Sequence, residues 1–150
     1  MQALSDILVP ERTVRHAQGA SKKRLFETIA QIVCGDQPSL DYNSVLDKLV
    51  EREELGSTGL GNGIAIPHCR VENCATPLGT LVSLAEGIPF DAPDDQPVDL
   101  LFILLVPAEA HQQHLDILAE IARNFGQADY CNGLREARSD RALFEAALGL

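Results

Sequence analysis

The chain has 150 residues and a formal net charge of −10, and this length allows it to bury a core and form one domain over residues 1–150. Its twelve Lys and Arg residues are scattered, so we expect no nucleic-acid binding, because a phosphate backbone is bound by clustered cations. The longest apolar run, residues 100–106, is too short to cross a bilayer and the N-terminus lacks a secretory signal, so we expect a soluble, cytoplasmic protein without direct membrane insertion.

The first half of the chain predicts helices and extended segments. Ser21 is placed to cap a helix, because its side chain can accept from the first free N–H groups, and Gly56 is placed to end another helix. Apolar residues recur at helical spacing between these two signals. The predicted elements are a helical turn over 4–8, an extended segment over 13–17, a helix over 22–34, a helix over 43–55 and a strand over 64–66.

In the second half, residues 98–106 are almost all apolar and β-prone, which is typical of a central strand that is covered on both faces. Because not every strand is separated from the next by a helix, the sequence predicts an α/β fold, a mixed sheet of about four to six strands flanked by helices on both faces. The other predicted elements are a strand over 80–85, a loop over 91–95 and helices over 109–125, 130–137 and 139–148, the last with Ser139 placed as its N-cap.

The segment GSTGLGNGIAIPH at 56–68 carries the most information about function. Closely spaced glycines let backbone amides approach a ligand, and Pro67 fixes the backbone so that the imidazole of His68 is aimed from the end of a short strand. An aimed, titratable ring suits nucleophilic phosphoryl chemistry. The alternative is a tight connection followed by a hydrogen-bonded structural histidine, and the pattern alone does not decide between the two.

The same segment resembles the active-site motif of the mannitol/fructose-type enzyme IIA (EIIA) proteins of the bacterial phosphotransferase system, and above all their nitrogen-related branch. The likeness continues through LSDIL at 4–8, SKKR at 21–24, QPVDLLF at 96–102 and the helix of His114, so it covers nearly the whole chain. It implies the EIIA fold and a phosphohistidine at His68. It also implies an HPr-like phosphocarrier protein of the NPr type as donor, and regulated target proteins such as transporters or sensor kinases.

Two further residues are candidates for the same site. His114 lies on the apolar face of the predicted helix over 109–125, and would meet His68 if the strands they follow are neighbours; a structural histidine is the alternative, and His111 lies one turn earlier. Arg52 is predicted in the last turn of a helix, either as a solvated charge or as a guanidinium fork over a phosphate. The resemblance implies His114 and Arg52 as the residues that stabilise the phosphoryl group.

The glycine-rich segment offers additional donors. Ser57, Thr58 and Gly63 are expected to bind phosphate oxygens, with simple turn formation as the alternative. His16 lies in a polar neighbourhood and is expected on the surface. The expected mechanism is a phosphoryl relay in which neutral His68 attacks a phosphohistidine on the carrier, with no cofactor and no metal.

Four cysteines, at positions 34, 69, 74 and 131, lack the spacing of a disulfide framework or of a zinc site. Cys69 stands where the resembling family more commonly has glycine. Its thiol would be a redox liability if it were exposed with a depressed pKa.

Three other functions are kept as alternatives. A sugar-specific EIIA component that feeds a separate permease is the nearest rival within the family. A regulatory binding domain that acts independently of phosphorylation is a rival of another class. A nucleotide site at residues 59–63 is disfavoured, because no G-K-[ST] follows and the third glycine of G-x-G-x-x-G is missing.

Overall fold

The computed structural model describes residues 2–110 and 113–150, with both helices and strands in the first half and a helical C-terminal third. The described helices are α1 (Gln2–Ile7), α2 (Lys22–Asp36), α3 (Tyr42–Leu55), α4 (Gln113–Phe125), α5 (Ala128–Glu136) and α6 (Asp140–Leu148). The described strands are β1 (Leu8–Val14), β2 (Gly59–Gly61), β3 (Ile64–Ala65), β4 (His68–Val71), β5 (Leu78–Ile88) and β6 (Val98–Pro107).

Strand β6 is the centre of a mixed sheet with the order β1-β5-β6-β3-β2. It is antiparallel to β5 and parallel to both β3 and β4, which lie one after the other along the same side of it. Ala65 is in register with Leu101 and His68 with Leu104. Pro67 separates the two short strands, because it has no N–H for the ladder, although its carbonyl still accepts a bond from the Leu104 amide at 2.9 Å.

The alternation of side chains along β6 divides the core into two layers. Leu101, Ile103 and Leu105 pack with the buried residues of α2 and α3 on one face. The residues that alternate with them pack with α1, α4, α5 and α6 on the other face; these are Leu100, Phe102, Leu104 and Val106. Every residue from position 100 to position 106 is therefore buried. The predicted α/β fold, with a mixed sheet and helices on both faces, is confirmed.

The helix boundaries follow the capping signals of the sequence. The hydroxyl of Ser21 accepts a bond from the Arg24 amide, and that of Ser139 accepts one from the Ala142 amide. Gly56 ends α3 with a φ of 156°, which is strained for a residue with a side chain. These three predicted boundaries are confirmed.

Some predicted elements are displaced. The predicted extended segment over 13–17 is wrong in its bounds, because β1 begins at Leu8 and ends at Val14. Arg12 of β1 is charged but only 3% exposed. Its guanidinium donates to the carbonyl oxygens of Ile7 and Gly79 and to the carboxylate of Asp36, and these bonds compensate the cost of burying its charge. Strand β5 is longer at both ends than the predicted strand over 80–85, and residues 109–110, predicted as the start of a helix, are not helical.

Candidate functional site

His68 is the first residue of β4 rather than the last residue of a strand, as the sequence had suggested, because Pro67 interrupts the ladder before it. The ring is half-buried, and its Nδ1 lies 2.8 Å from the carbonyl oxygen of Ile66. A carbonyl oxygen can only accept, so Nδ1 must be the protonated nitrogen. In the neutral ring this leaves Nε2 with a free lone pair, which is the state a nucleophile requires.

A cavity of about 370 Å³ brings His68 together with two other residues singled out in the sequence, Arg52 and His114. It lies beside the second half of β6, where Leu104 and Val106 contribute to its wall. The last turns of α3, strand β4 and the first turn of α4 form the rest. The cavity thus lies beside the paired segments of the parallel strands β4 and β6, where His68 is in register with Leu104. The other lining residues are Lys48, Glu51, Leu55, Cys69 and Arg70.

The surroundings of His68 keep its ring neutral. Burial is the largest influence and lowers the pKa of His68 below its usual value, and electrostatic interactions with Arg52 and His114 lower it further. The hydrogen bond to Ile66 and the charge of Glu53 act in the opposite direction, but the net effect is a lowered pKa. At neutral pH the ring is therefore uncharged and available for attack through Nε2.

His114 lies near the N-terminus of α4, where the helix dipole is positive. Its Nδ1 is buried and has no hydrogen-bond partner among the residues that the structure describes. A buried ring nitrogen without a partner is a costly feature in a folded protein, unless a ligand uses it. His111, the alternative considered from the sequence, lies outside the described residues.

Arg52 lies in the last turn of α3 and donates from Nη1 to the carbonyl oxygen of Gly56 at 2.9 Å. This bond occupies one of the five guanidinium N–H donors. Lys48 lies one helical turn earlier, and Arg70 lies two residues after His68 on β4. The cavity therefore carries a local excess of positive charge although the whole chain is acidic, and the sequence analysis missed Lys48 and Arg70 because only the fold brings them to the site.

Ser57 and Thr58 do not line this cavity. The Ser57 hydroxyl donates to the Phe90 carbonyl oxygen at 2.9 Å and accepts from the Gly59 amide at 3.0 Å. The Thr58 hydroxyl donates to the carboxylate of Glu53 at 2.7 Å. These hydroxyls hold the loop, which corresponds to the turn-forming alternative and gives no support to the expected phosphate contacts.

Gly63 lies in the hairpin turn between β2 and β3, beside the start of β6. Asn62 and Gly63 join β2 to β3 with φ values of 58° and 83°, the left-handed conformation that a two-residue hairpin loop requires. The Gly63 carbonyl oxygen accepts from the amides of Asp99 and Leu100 near the start of β6. The structure therefore places Gly63 away from His68, and the Asn-Gly dipeptide was the available signal for this hairpin.

The cysteines are free thiols in the structure. Burial raises the pKa of Cys69 to about 12, so the conditional expectation of a reactive thiol beside His68 is not met. Within residues 2–110 and 113–150, no cluster of three or more His, Cys, Asp or Glu side chains could hold a metal ion. His16 is exposed, as expected. No described helix has both the length and the apolar character needed to cross a membrane.

Residues 6–147 match the family model for the EIIA 2 component of the phosphoenolpyruvate-dependent sugar phosphotransferase system. The chain therefore belongs to this family, whose members are components of a phosphotransferase system. The resemblance inferred from residues 56–68 is confirmed.

Within this family the chain is similar to nitrogen regulatory proteins. It is 46% identical to that of Pseudomonas aeruginosa over 145 residues, which cover 97% of this chain and 94% of the relative. The crystal structure of the nitrogen regulatory protein IIA-Ntr of Neisseria meningitidis matches with a TM-score of 0.88 and 38% identity, covering 96% of this chain and 98% of that one. A fructose-specific EIIA component of Haloferax volcanii is 42% identical over 124 residues, which cover 83% of this chain and 80% of the relative.

Proposed function

We propose that this protein is a phosphoryl-relay and regulatory component that accepts a phosphoryl group on His68 from an HPr-like phosphocarrier protein. The observation that carries the proposal is the cavity shared by His68, His114 and Arg52, in which the ring of His68 is held with Nδ1 protonated. The nitrogen regulatory proteins among its relatives support a regulatory role. The proposed targets are proteins such as transporters or sensor kinases.

In the proposed reaction, the lone pair of His68 Nε2 attacks the phosphorus of the donor phosphohistidine. The new N–P bond forms as the N–P bond of the donor breaks, and the donor imidazole leaves with that electron pair. Positive charge moves onto the ring of His68, and the Nδ1–H bond to the Ile66 carbonyl becomes charge-assisted and stronger. No proton has to leave His68 during the transfer, so the site needs no separate general base.

The transferring group carries negative charge on its three equatorial oxygens, and positioning and charge stabilisation supply most of the catalysis. Arg52 and His114 are proposed to stabilise these oxygens, because both line the cavity beside His68. Lys48 and Arg70 add positive charge at the same cavity. Ser57, Thr58 and Gly63 are assigned no contact with the group, since the two hydroxyls and the Gly63 carbonyl oxygen are bonded within the fold.

The test is incubation with phosphoenolpyruvate and the general phosphotransferase components, followed by intact-mass measurement and mapping of the modified residue. The wild type should gain one phosphoryl group, acid-labile and base-stable, and His68→Ala should gain none. His16→Gln, a change at an exposed histidine, is the matched control and should be modified as fully as the wild type. Full phosphorylation of His68→Ala would refute the assignment.

A sugar-specific EIIA role is the second candidate, and the similarity to a fructose-specific component favours it. Incubation of the phosphorylated protein with membranes that contain a sugar permease of the system distinguishes the two roles. Phosphate that reaches sugar supports transport, whereas phosphate that stays on the protein supports regulation. Comparing target binding by the two phosphorylation states then tests whether the regulation depends on phosphorylation at all.

A further inference from the structure

A buried carboxylate lies at the start of a chain of hydrogen bonds that ends at His68. The side chain of Glu53, on α3, is 6% exposed. It accepts from the Thr58 hydroxyl at 2.7 Å and from the Thr58 amide at 3.2 Å. Lys22 on α2 compensates its charge with an ammonium group 2.9 Å away. Glu53 therefore fixes both the backbone and the side chain of Thr58, which is itself buried.

The chain continues through the backbone. The carbonyl oxygen of Thr58 accepts from the Ile66 amide at 3.0 Å, and the carbonyl oxygen of Ile66 accepts from His68 Nδ1 at 2.8 Å. Pro67, between Ile66 and His68, restricts the backbone on both sides of itself. The position of one carbonyl oxygen thus decides the tautomer and the orientation of the ring, and that carbonyl is held through Thr58.

We propose that Glu53 and Thr58 are positioning residues that hold the Ile66 carbonyl in place, so that His68 keeps its proton on Nδ1 and presents a bare Nε2 to the phosphoryl donor. This inference rests on the proposed role of His68 as the nucleophile. Neither residue lines the cavity or touches the reacting atoms.

Holding the His68 ring through a backbone carbonyl, rather than through direct contact with the Glu53 carboxylate, suits an anionic substrate. In many catalytic sites a carboxylate contacts the histidine directly and fixes its tautomer. Such a contact would also place a full negative charge beside the incoming phosphoryl group and raise the pKa of the ring. A backbone carbonyl provides the same tautomer control as a neutral acceptor, while the charge of Glu53 stays paired with Lys22.

A purely structural role for this network is the competing explanation. Burying a paired carboxylate contributes little net stability, because desolvation offsets the attraction, and an apolar pair would hold a loop equally well. Unlike an apolar pair, this network is a series of hydrogen bonds from Glu53 through Thr58 and Ile66 that ends at Nδ1 of His68.

The test uses Thr58→Val, which removes the hydroxyl but keeps the shape, and Thr58→Ser, which restores the hydroxyl. Long-range nitrogen-15 NMR of the imidazoles, without any donor, measures the fraction of His68 protonated at Nδ1. We expect this fraction to be near complete in the wild type and in Thr58→Ser, and to fall in Thr58→Val with a growing Nε2–H form. The transfer rate at saturating phosphocarrier should fall about tenfold in Thr58→Val, less than the roughly 100-fold that a 1 Å misplacement can cost, with the KM for the carrier unchanged.

Glu53→Met decides the matter if Thr58→Val does not fold, because methionine has a similar length but lacks the carboxylate oxygens that accept from the Thr58 hydroxyl and amide. It should show the same shift of tautomer and rate, whereas Glu54→Met, at the exposed neighbouring position, should show neither. Folded variants that are less stable but keep the wild-type tautomer fraction and transfer rate would overturn the inference. The NMR measurement needs no phosphoryl transfer, so its outcome is distinguishable from failure of His68 as the phosphorylation site.

Discussion

Replacing Arg52 by alanine tests the electrostatic part of the mechanism. The guanidinium lies at the end of α3, lines the cavity with His68 and donates to the Gly56 carbonyl in an exposed position. Losing that exposed bond should cost about 0.5–1.5 kcal/mol of folding stability at most. Losing a charge-assisted bond to the phosphoryl oxygens should cost about 1.5–3 kcal/mol in the transition state. That corresponds to roughly a 10- to 150-fold slower transfer.

The assay is rapid-quench phosphorylation by the phosphorylated carrier, accompanied by urea unfolding of each variant. Arg24→Ala is the matched control, because this arginine lies on α2 with its side chain 77% exposed, where it forms an ion pair with Glu27 at 3.4 Å. Arg52→Ala should also raise the pKa of His68, since the charge of Arg52 lowers it. Transfer at the wild-type rate by folded Arg52→Ala would refute the assignment of Arg52 to the transferring group.

Three further predictions follow from the structure. Because the pKa of His68 is lowered in the folded protein, the unfolded chain binds this proton first, and stability should be lost as the pH falls through about 6.5 until it reaches the folded pKa. Urea unfolding at pH 7 and pH 5 should show a smaller acid-induced loss in His68→Gln, and equal losses would contradict this. Gly63→Ala should destabilise the fold by at least about 1–2 kcal/mol, because the φ is 83° and the new Cβ would lie 2.6 Å from a nitrogen of Arg135. The control Gly133→Ala meets nothing within 4 Å in a helix and should be neutral or stabilising, so a loss of similar size in both variants would count against the argument. Finally, because burial raises its pKa to about 12, the half-buried Cys69 thiol should react with iodoacetamide at neutral pH far more slowly than an ordinary thiol, and alkylation of the folded protein at the rate of a free thiol would contradict this.

Local sequence signals were enough for most of the fold. The unbroken apolar run of β6 predicts a strand covered on both faces, and that strand divides the core into its two layers. Ser21, Gly56 and Ser139 mark helix boundaries because capping depends on a few neighbouring residues.

Elements that depend on distant partners were placed less well. Pro10 and the charged pair after it disfavour a strand over residues 8–14, but Arg12 is buried through bonds to residues far along the chain, such as Asp36 and Gly79. The hairpin at Asn62 and Gly63 had a local signal, yet the density of glycines around it favoured interpretation as a ligand-binding loop.

The candidate site could be predicted only in part from residue patterns. Pro67 and His68 are neighbours in sequence, so the sequence alone could predict that the backbone orients the imidazole of His68. The grouping of Arg52 and His114 with His68 was expected from family resemblance, because their sequence positions do not fix their distance. The connection from Glu53 to His68 depends on two backbone carbonyl oxygens, whose positions no residue pattern specifies.

The most direct test of the central claim is a nitrogen-15 and phosphorus-31 NMR correlation on the phosphorylated protein, which reports the ring nitrogen that carries the phosphorus. The structure predicts phosphorus on Nε2 of His68, with a proton still on Nδ1 and bonded to the Ile66 carbonyl. Phosphorus on Nδ1 of His68, or on any other residue, would contradict the account.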